Sequence, residues 1–493
     1  MITLINPNIV MQKDDLFGTG IPYMPVELAY VAATLRAKNI EFKLIDSFGL
    51  NPKQITRLDS QFVQGLTTDQ ILAQIPSSSK YIVVYCGLVV TFRVITQIIS
   101  AVKEKFPNIP VICIENTQQV TSFSIKEASP KLFKAGADII MIGDPEARIV
   151  DVVSGKDLKK IKGLMFKKNN KIVKTELSDI FIKEVDDLPF PAWDLFPLKN
   201  YWKLGYAHAP LKSKKYISIL TSRGCPFGCH FCVIPATNIR RWTPRSAKNV
   251  VDEMEHWIKT FGVHEFHVED LNPTVKKERM VEISKEILER KLKVSFKFGA
   301  GTKIETMDEE TIDWMAKAGL TYLSCSPESG SPRILKAMGK PFSHQLALQL
   351  IKRLNKDKVT TQACFVLGYL NETDDDRKLT QNYVKELTKA GVDEIALFIM
   401  TPIPGTYTFD KVEGYDDYSQ LTFSPKWRKE YKKLSSFRIH TYMKFLLWKL
   451  RYHPIKLFKQ PISFLTGRFN TKMEMTAFRW LKINILSRIP FIG

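Results

Sequence analysis

Nowhere in this 493-residue chain do 18 consecutive residues stay apolar and uncharged, so the sequence offers no candidate for a bilayer-spanning helix. The opening MITLINPNIV carries no cluster of Lys or Arg ahead of an apolar stretch. No secretory leader is therefore expected, and the cytoplasm is the expected compartment. Histidine is missing before His208, so the first part of the chain cannot offer an imidazole to a metal. The seven cysteines are too few for a disulfide framework, and an odd number cannot all pair. Four of them, Cys86, Cys113, Cys325 and Cys364, stand in apolar runs and read as core residues. No low-complexity tract or short repeat is visible, which excludes a solenoid.

What remains is a soluble globular composition, 44% hydrophobic and 25% charged, long enough for two or three domains. The net charge of +21 is unevenly spread. Between Leu421 and Gly493, 16 Lys or Arg face only Glu430 and Glu474. Two thirds of the excess thus lies in the last seventh of the chain, which points to a surface or partner.

The first 150 residues alternate apolar runs (2–7, 41–48, 81–88, 111–116 and 138–144) with helical stretches such as 26–38. Continuous apolar runs suit parallel strands buried on both faces, so a doubly wound, Rossmann-like α/β sheet is expected over 1–150. Residues 151–215 are basic and irregular, with LPFPAWDLFP favouring extended structure, and read as a linker packed over the domain junction. Over 216–410 six further βα repeats, with helices such as Ala247–Phe261 and Asp374–Ala390, predict a partial or complete (β/α) barrel. In such barrels chemistry sits on the loops after the strands. Residues 411–493 read as a basic helical extension.

The first of those loops reads SRGCPFGCHFC and places Cys225, Cys229 and Cys232 at i, i+4 and i+7. Three thiolates can hold three irons of a [4Fe–4S] cube and leave the fourth iron open for a ligand. Gly224, Pro226 and Gly228 suit a tight wrapping loop. A zinc site is the alternative, but it normally wants four ligands. His230, wedged between two of the cysteines, is poorly placed as the fourth and reads as a solvent-facing residue or an outer donor.

CPFGCHFC, with Phe231 ahead of its last cysteine, resembles the CxxxCxxC signature of the radical S-adenosylmethionine (SAM) superfamily. That resemblance implies an open iron chelating the amino and carboxylate groups of SAM, an external electron donor, and reductive cleavage to a 5′-deoxyadenosyl radical that takes hydrogen from an unreactive carbon. Later segments resemble the family's SAM-contacting strand ends. They are VEDLNP with Glu269 and Asp270, PESGSPRILKAMGK with Glu328, Ser329 and Gly330, FVLGYLNET, in which Leu370 replaces a common proline, and TPIPGT. The resemblance assigns Phe231, Glu269, Glu328, Ser329 and Gly330 to cofactor binding.

The domain order resembles cobalamin-binding radical SAM enzymes, a class of methyltransferases and anaerobic cyclases. IPYMPVELAYVAATLRAKNIEFKLIDSF and AGADIIMIGDPEARIVDVV resemble the opening and close of their cobalamin domain. One departure stands out. Glu115 and Asn116 occupy the place of a frequent Gly-Gly pair whose small size lets backbone approach the corrinoid tail. If cobalamin binds, no histidine of this domain can lie below its cobalt. The similar tRNA methylthiotransferases carry three cluster cysteines in this domain, whereas only Cys86 and Cys113 are available here.

The tail holds a helical stripe of Ile439, Met443, Leu446, Leu447 and Leu450 among Lys444, Lys449, Arg451 and Lys456. A second amphipathic stretch runs over 477–493. Basic amphipathic helices suit an anionic membrane surface, while a helical cap on the barrel is the alternative. Charge alone also permits nucleic acid, but no recognisable RNA-binding module accompanies it. The expectation is cobalamin-dependent methyl transfer to a small-molecule or lipid-like substrate. Cyclisation, oxidation or a non-catalytic iron–sulfur protein are the alternatives.

Overall fold

In a computed structural model the described residues are 1–487, apart from 14, 16, 17, 170 and 459. The last six residues of the second amphipathic stretch lie outside them. The first sheet contains β1 (Ile2–Asn6), β2 (Phe42–Asp46), β3 (Tyr81–Cys86), β4 (Val111–Glu115), β5 (Ile139–Met141), β6 (Leu164–Lys168) and β7 (Lys171–Lys174). Its order is β7-β6-β5-β4-β3-β1-β2. The first five strands are parallel, and β6 and β7 add antiparallel to one edge. Side-chain alternation explains the double winding. Leu4, Val83, Ile112 and Ile139 are aligned in register and feed one core with helix Val26–Ala37. Ile5, Val84, Cys113 and Ile140 feed the opposite core with helices Phe92–Lys105 and Ile125–Ala135.

Part of the segment expected to be a connector is therefore sheet. Two short β runs lie there, and β6 joins the sheet by pairing with β5. The remainder does cross the junction. Trp193 is fully buried, and Ala192 N–H donates to Ala29 O at 3.0 Å. A three-stranded antiparallel sheet of Ile9–Gln12, Gln61–Gln64 and Ile55–Leu58 was not foreseen.

The second sheet runs in sequence order: β8 (Ile217–Ile219), β9 (Glu265–Val268), β10 (Ser295–Thr302), β11 (Leu320–Glu328), β12 (Thr360–Leu367) and β13 (Glu394–Ile399). All its pairings are parallel, and no pairing closes β13 onto β8 among the described residues. Residues from or beside β9 to β13 nonetheless line one cavity. A sheet wrapped as a partial barrel accounts for this. The open side is covered by helix Lys472–Leu486, whose first two N–H groups, at Lys472 and Met473, donate to the Glu394 carboxylate at 2.9 and 2.7 Å.

Helix Tyr431–Tyr452 packs Leu434, Arg438, Thr441, Phe445 and Lys449 inward. The Leu397 N–H of β13 donates to Tyr442 Oη at 3.0 Å. The cap reading thus holds for one face of this helix. No described helix is long and apolar enough to cross a membrane.

Candidate functional site

The cysteine loop leaves β8 through a short antiparallel ladder of Ser222–Gly224 with Trp242–Pro244. Gly224 sits at φ +81°, and a Cβ there would come within 2.1 Å of Arg241 O. Only glycine can make that turn without moving the ladder. Asp270, at the end of β9, accepts from Thr221 N, Thr221 Oγ1 and Ser222 Oγ. It anchors the loop and is committed as a structural acceptor. Arg223 is buried against the first domain, paired with Glu146 and stacked 4.9 Å over the Tyr30 ring.

Cys225, Cys229 and Cys232 then line one cavity of about 190 Å³ with Phe227, Phe231, Asn272, Lys303, Glu328, Lys340 and Thr401. Among the described residues no three His, Cys, Asp or Glu side chains group as a single-ion site. In an iron–sulfur cube each thiolate binds its own iron, so the three sulfurs need not converge. Burial pushes the Cys225 thiol up to about 11 and raises Cys229 and Cys232 as well. Bound iron would favour their thiolates.

Lys340 faces the same cavity. Burial alone would lower its ammonium, but the Glu328 carboxylate at 2.7 Å holds it above its ordinary value. Two buried polar atoms on this wall lack partners among the described residues: Asn272 Nδ2 and Thr401 Oγ1. Orphaned groups of this kind are costly unless a ligand completes them. The donor set therefore fits a three-cysteine cluster with a polar ligand such as SAM beside it.

The other expected cofactor contacts are redistributed. Phe231 and Glu328 line the cluster cavity. Ser329 and Gly330 do not. Thr380 takes both, at 3.3 Å from Ser329 Oγ and 3.0 Å from the Gly330 N–H. Glu269 lies elsewhere too. Its carboxylate is 2.6 Å from His208 Nδ1 in a second, larger cavity of about 360 Å³. Burial would raise Glu269, but His208 more than reverses this and holds it below the usual range. Burial lowers the His208 imidazole. His208 was invisible as a partner because it lies 61 positions away.

His230 behaves as an outer residue, with Nδ1 2.9 Å from Ala337 O and its ring 4.8 Å from that of Tyr407. Of the four scattered cysteines, all are buried, but Cys364 also reaches the wall between the cavities.

The two cavities share Val120, Leu271, Gly301, Cys364, Phe398 and Phe423. Gln118 to Thr121 of the first domain complete the larger one. The chemistry at the cysteines therefore borders directly on a space large enough for a small molecule.

The protein-family scan matches the radical SAM superfamily over residues 219–384. Those residues form a radical SAM domain. The match begins at the end of β8 and takes in the three cysteines and Glu328. Among curated proteins, an uncharacterised methyltransferase of Pyrococcus horikoshii is 30% identical over 296 residues, 59% of this chain and 61% of that protein. An anaerobic magnesium-protoporphyrin IX monomethyl ester cyclase of Cereibacter sphaeroides is 29% identical over 303 residues, 58% of this chain and 47% of that one. The matched regions thus span less than two thirds of these relatives.

Beyond the radical SAM domain the fold has solved counterparts. The radical SAM methyltransferase TsrM from Kitasatospora setae, solved with tryptophan and a SAM analogue, superposes with a TM-score of 0.64 at 16% identity, covering 83% of this chain and 75% of its own. The cobalamin-dependent radical SAM enzyme OxsB gives 0.61 at 16% identity, covering 90% and 56%. These likenesses show a shared fold over most of the chain.

The first domain's own residues bear on a corrinoid. Glu115 and Asn116 are fully buried. Glu115 accepts from the Ile125 and Gly143 N–H groups at 3.0 and 2.7 Å, and Asn116 Nδ2 donates to Gly87 O at 3.0 Å. The positions where a glycine pair would leave room thus carry buried side chains whose polar groups are engaged within the domain.

Proposed function

We propose that the chain is a radical SAM enzyme that functionalises an unactivated C–H bond of a small, largely apolar substrate, with methylation as the outcome. The observation that carries this reading is the common wall between the cysteine cavity and the larger cavity, set within a radical SAM domain. A cluster with SAM supplies reductive cleavage and a carbon radical when bound, and an external electron donor feeds it. The chain's residues do the rest. Cys225, Cys229 and Cys232 hold the cluster, Glu328 and Lys340 neutralise each other beside it, and Asn272 and Thr401 offer unfilled polar contacts. Phe398, Phe423 and Leu271 keep the wall dry.

The methyltransferase named among the relatives and the two-domain likeness to TsrM and OxsB support methyl transfer with cobalamin. Glu115 and Asn116 oppose the family's seat for its tail. Anaerobic reconstitution with SAM and dithionite tests the core of the reading. Release of 5′-deoxyadenosine is expected, and its absence from protein holding four irons refutes radical chemistry. Corrinoid analysis of protein from a cobalamin-supplied host decides the second cofactor.

A location is proposed with it: peripheral attachment to an anionic lipid surface, which suits an apolar substrate. Ile439, Met443, Leu447 and Leu450 are 44 to 63% exposed along one helix, and Ile455 and Phe458 continue the stripe at 70%. Three of the four expected flanking bases are spent on the barrel: Lys444 on Gln381, Lys449 on Asp393 O and Lys456 on the Asp393 carboxylate. Lys432, Arg451 and Arg468 remain exposed. Flotation with phosphatidylserine vesicles, and failure to float with neutral ones, is the expected result.

A further inference from the structure

The helix that covers the open side of the barrel brings two cations into the larger cavity. Lys472 and Arg479 are seven residues apart and line it from one face of that helix, with Met475 between them. Arg479 is 2% exposed. It makes no hydrogen bond or ion pair with any described residue, and its Nε is buried without a partner. The one carboxylate that acts on it electrostatically is Asp15, outside ion-pair distance, and that carboxylate accepts from Ser424 Oγ at 2.8 Å. Lys472 Nζ donates to Gly299 O at 2.6 Å and lies 3.4 Å from His208 Nε2, with no carboxylate in ion-pair reach among the described residues.

The acids of the cavity are already committed. Glu269 is tied to His208, and Glu394 accepts from Tyr322 Oη at 2.7 Å as well as from two backbone N–H groups. A buried guanidinium with no hydrogen bond and no carboxylate in ion-pair reach among the described residues is costly for a fold to keep. Its retention in the wall of a cavity is understandable when a ligand brings the charge.

We propose that the larger cavity binds an amphiphilic anion, with a carboxylate or phosphate on Arg479 and Lys472 and an apolar body against Phe398, Phe423 and Leu271. Because those three side chains also border the cysteine cavity, the body is held where a C–H bond can be presented to the reactive centre. This rests on the radical SAM reading for its consequence, but the binding itself does not need turnover. The C-terminal helix is then a specificity element rather than a lid of neutral character.

The test is isothermal titration calorimetry on the anaerobically reconstituted full chain with octanoate, octyl phosphate and octan-1-ol. At least one anion is expected to bind about tenfold or more tighter than the alcohol, the scale of a charge-assisted hydrogen bond. Comparing the two anions separates a carboxylate-bearing substrate from a phosphate-bearing one. Arg479→Gln should remove the preference, and Arg479→Lys should keep part of it. Because an unpaired charge is lost, Arg479→Gln should melt no lower than wild type without ligand.

Equal binding of anion and alcohol, no saturable binding of either anion, or a lower melting temperature for Arg479→Gln would each overturn the proposal. Assaying 5′-deoxyadenosine release on the same preparations keeps a failure here distinct from a failure of the radical chemistry.

Discussion

Arg223 stands two residues before Cys225 and reaches across the domain junction to Glu146, with Asp144 3.6 Å away. Side-chain exposure is 3% for Arg223 and 0% for Glu146, which decides the scale of the effect. A surface pair would be worth at most about 1 kcal/mol. Removing one partner of a pair this deeply buried instead strands the other charge, at about 3–5 kcal/mol. Arg223→Met should therefore lower stability by that amount in urea denaturation followed by tryptophan fluorescence. Cluster content should fall with it, since the loop loses its tether. Arg223→Met combined with Glu146→Leu removes both charges and should recover most of the loss. A single variant costing less than about 1 kcal/mol, or a double variant no better than the single, would refute the view that this ion pair locks the cysteine loop to the first domain.

Gly224→Ala meets both a left-handed backbone and the Arg241 carbonyl, so reconstituted protein should bind clearly less iron while keeping its far-ultraviolet circular dichroism. A pH dependence follows from the first domain. Burial raises Glu27 to about 8 and Glu115 to about 7 from an ordinary value of 4.5. The folded state then holds protons that the unfolded state has released, so this contribution is full below pH 4.5 and is lost as pH rises towards about 8. The stability difference between wild type and Glu115→Gln should shift against wild type across that window, and a difference flat with pH contradicts the burial argument. Leu447→Glu together with Met443→Glu places charge on the exposed stripe and should abolish vesicle flotation while leaving 5′-deoxyadenosine release unchanged.

Much of this was legible one residue at a time. Continuous apolar runs gave β3 to β5 because strands buried on both faces need no alternation. Helices such as Ala247–Phe261 and Asp374–Ala390 matched their expected bounds because Ser246 and Thr373 cap their starts and glycines end them. β6 and β7 escaped notice because four of their nine residues are exposed lysines, and they are sheet only because β6 pairs with β5 and β7 with β6. Among candidate site residues, spacing and resemblance pointed to the cysteines and Glu328, and these line one cavity. Glu269 faces the larger cavity rather than the cysteine cavity; resemblance locates a strand end but not the direction in which its side chain is drawn. The sequence of helix Tyr431–Tyr452 reads as either a membrane element or a barrel cap, and one of its faces packs on the barrel while another is exposed.

The sequence by itself determined the cysteine loop, because cluster chemistry is local: three thiolates within eight residues, turned by a glycine, need no distant partner to be recognised. It also determined the two alternating βα regions, since hydrophobic period is a property of neighbours. The tertiary structure alone decided which charges remain uncompensated. Glu269 meets His208 across 61 positions, Arg223 meets Glu146 across 77, and Arg479 finds no hydrogen-bond or ion-pair partner among the described residues. Desolvation is what makes such pairings matter, and burial by remote segments cannot be read from the order of the residues.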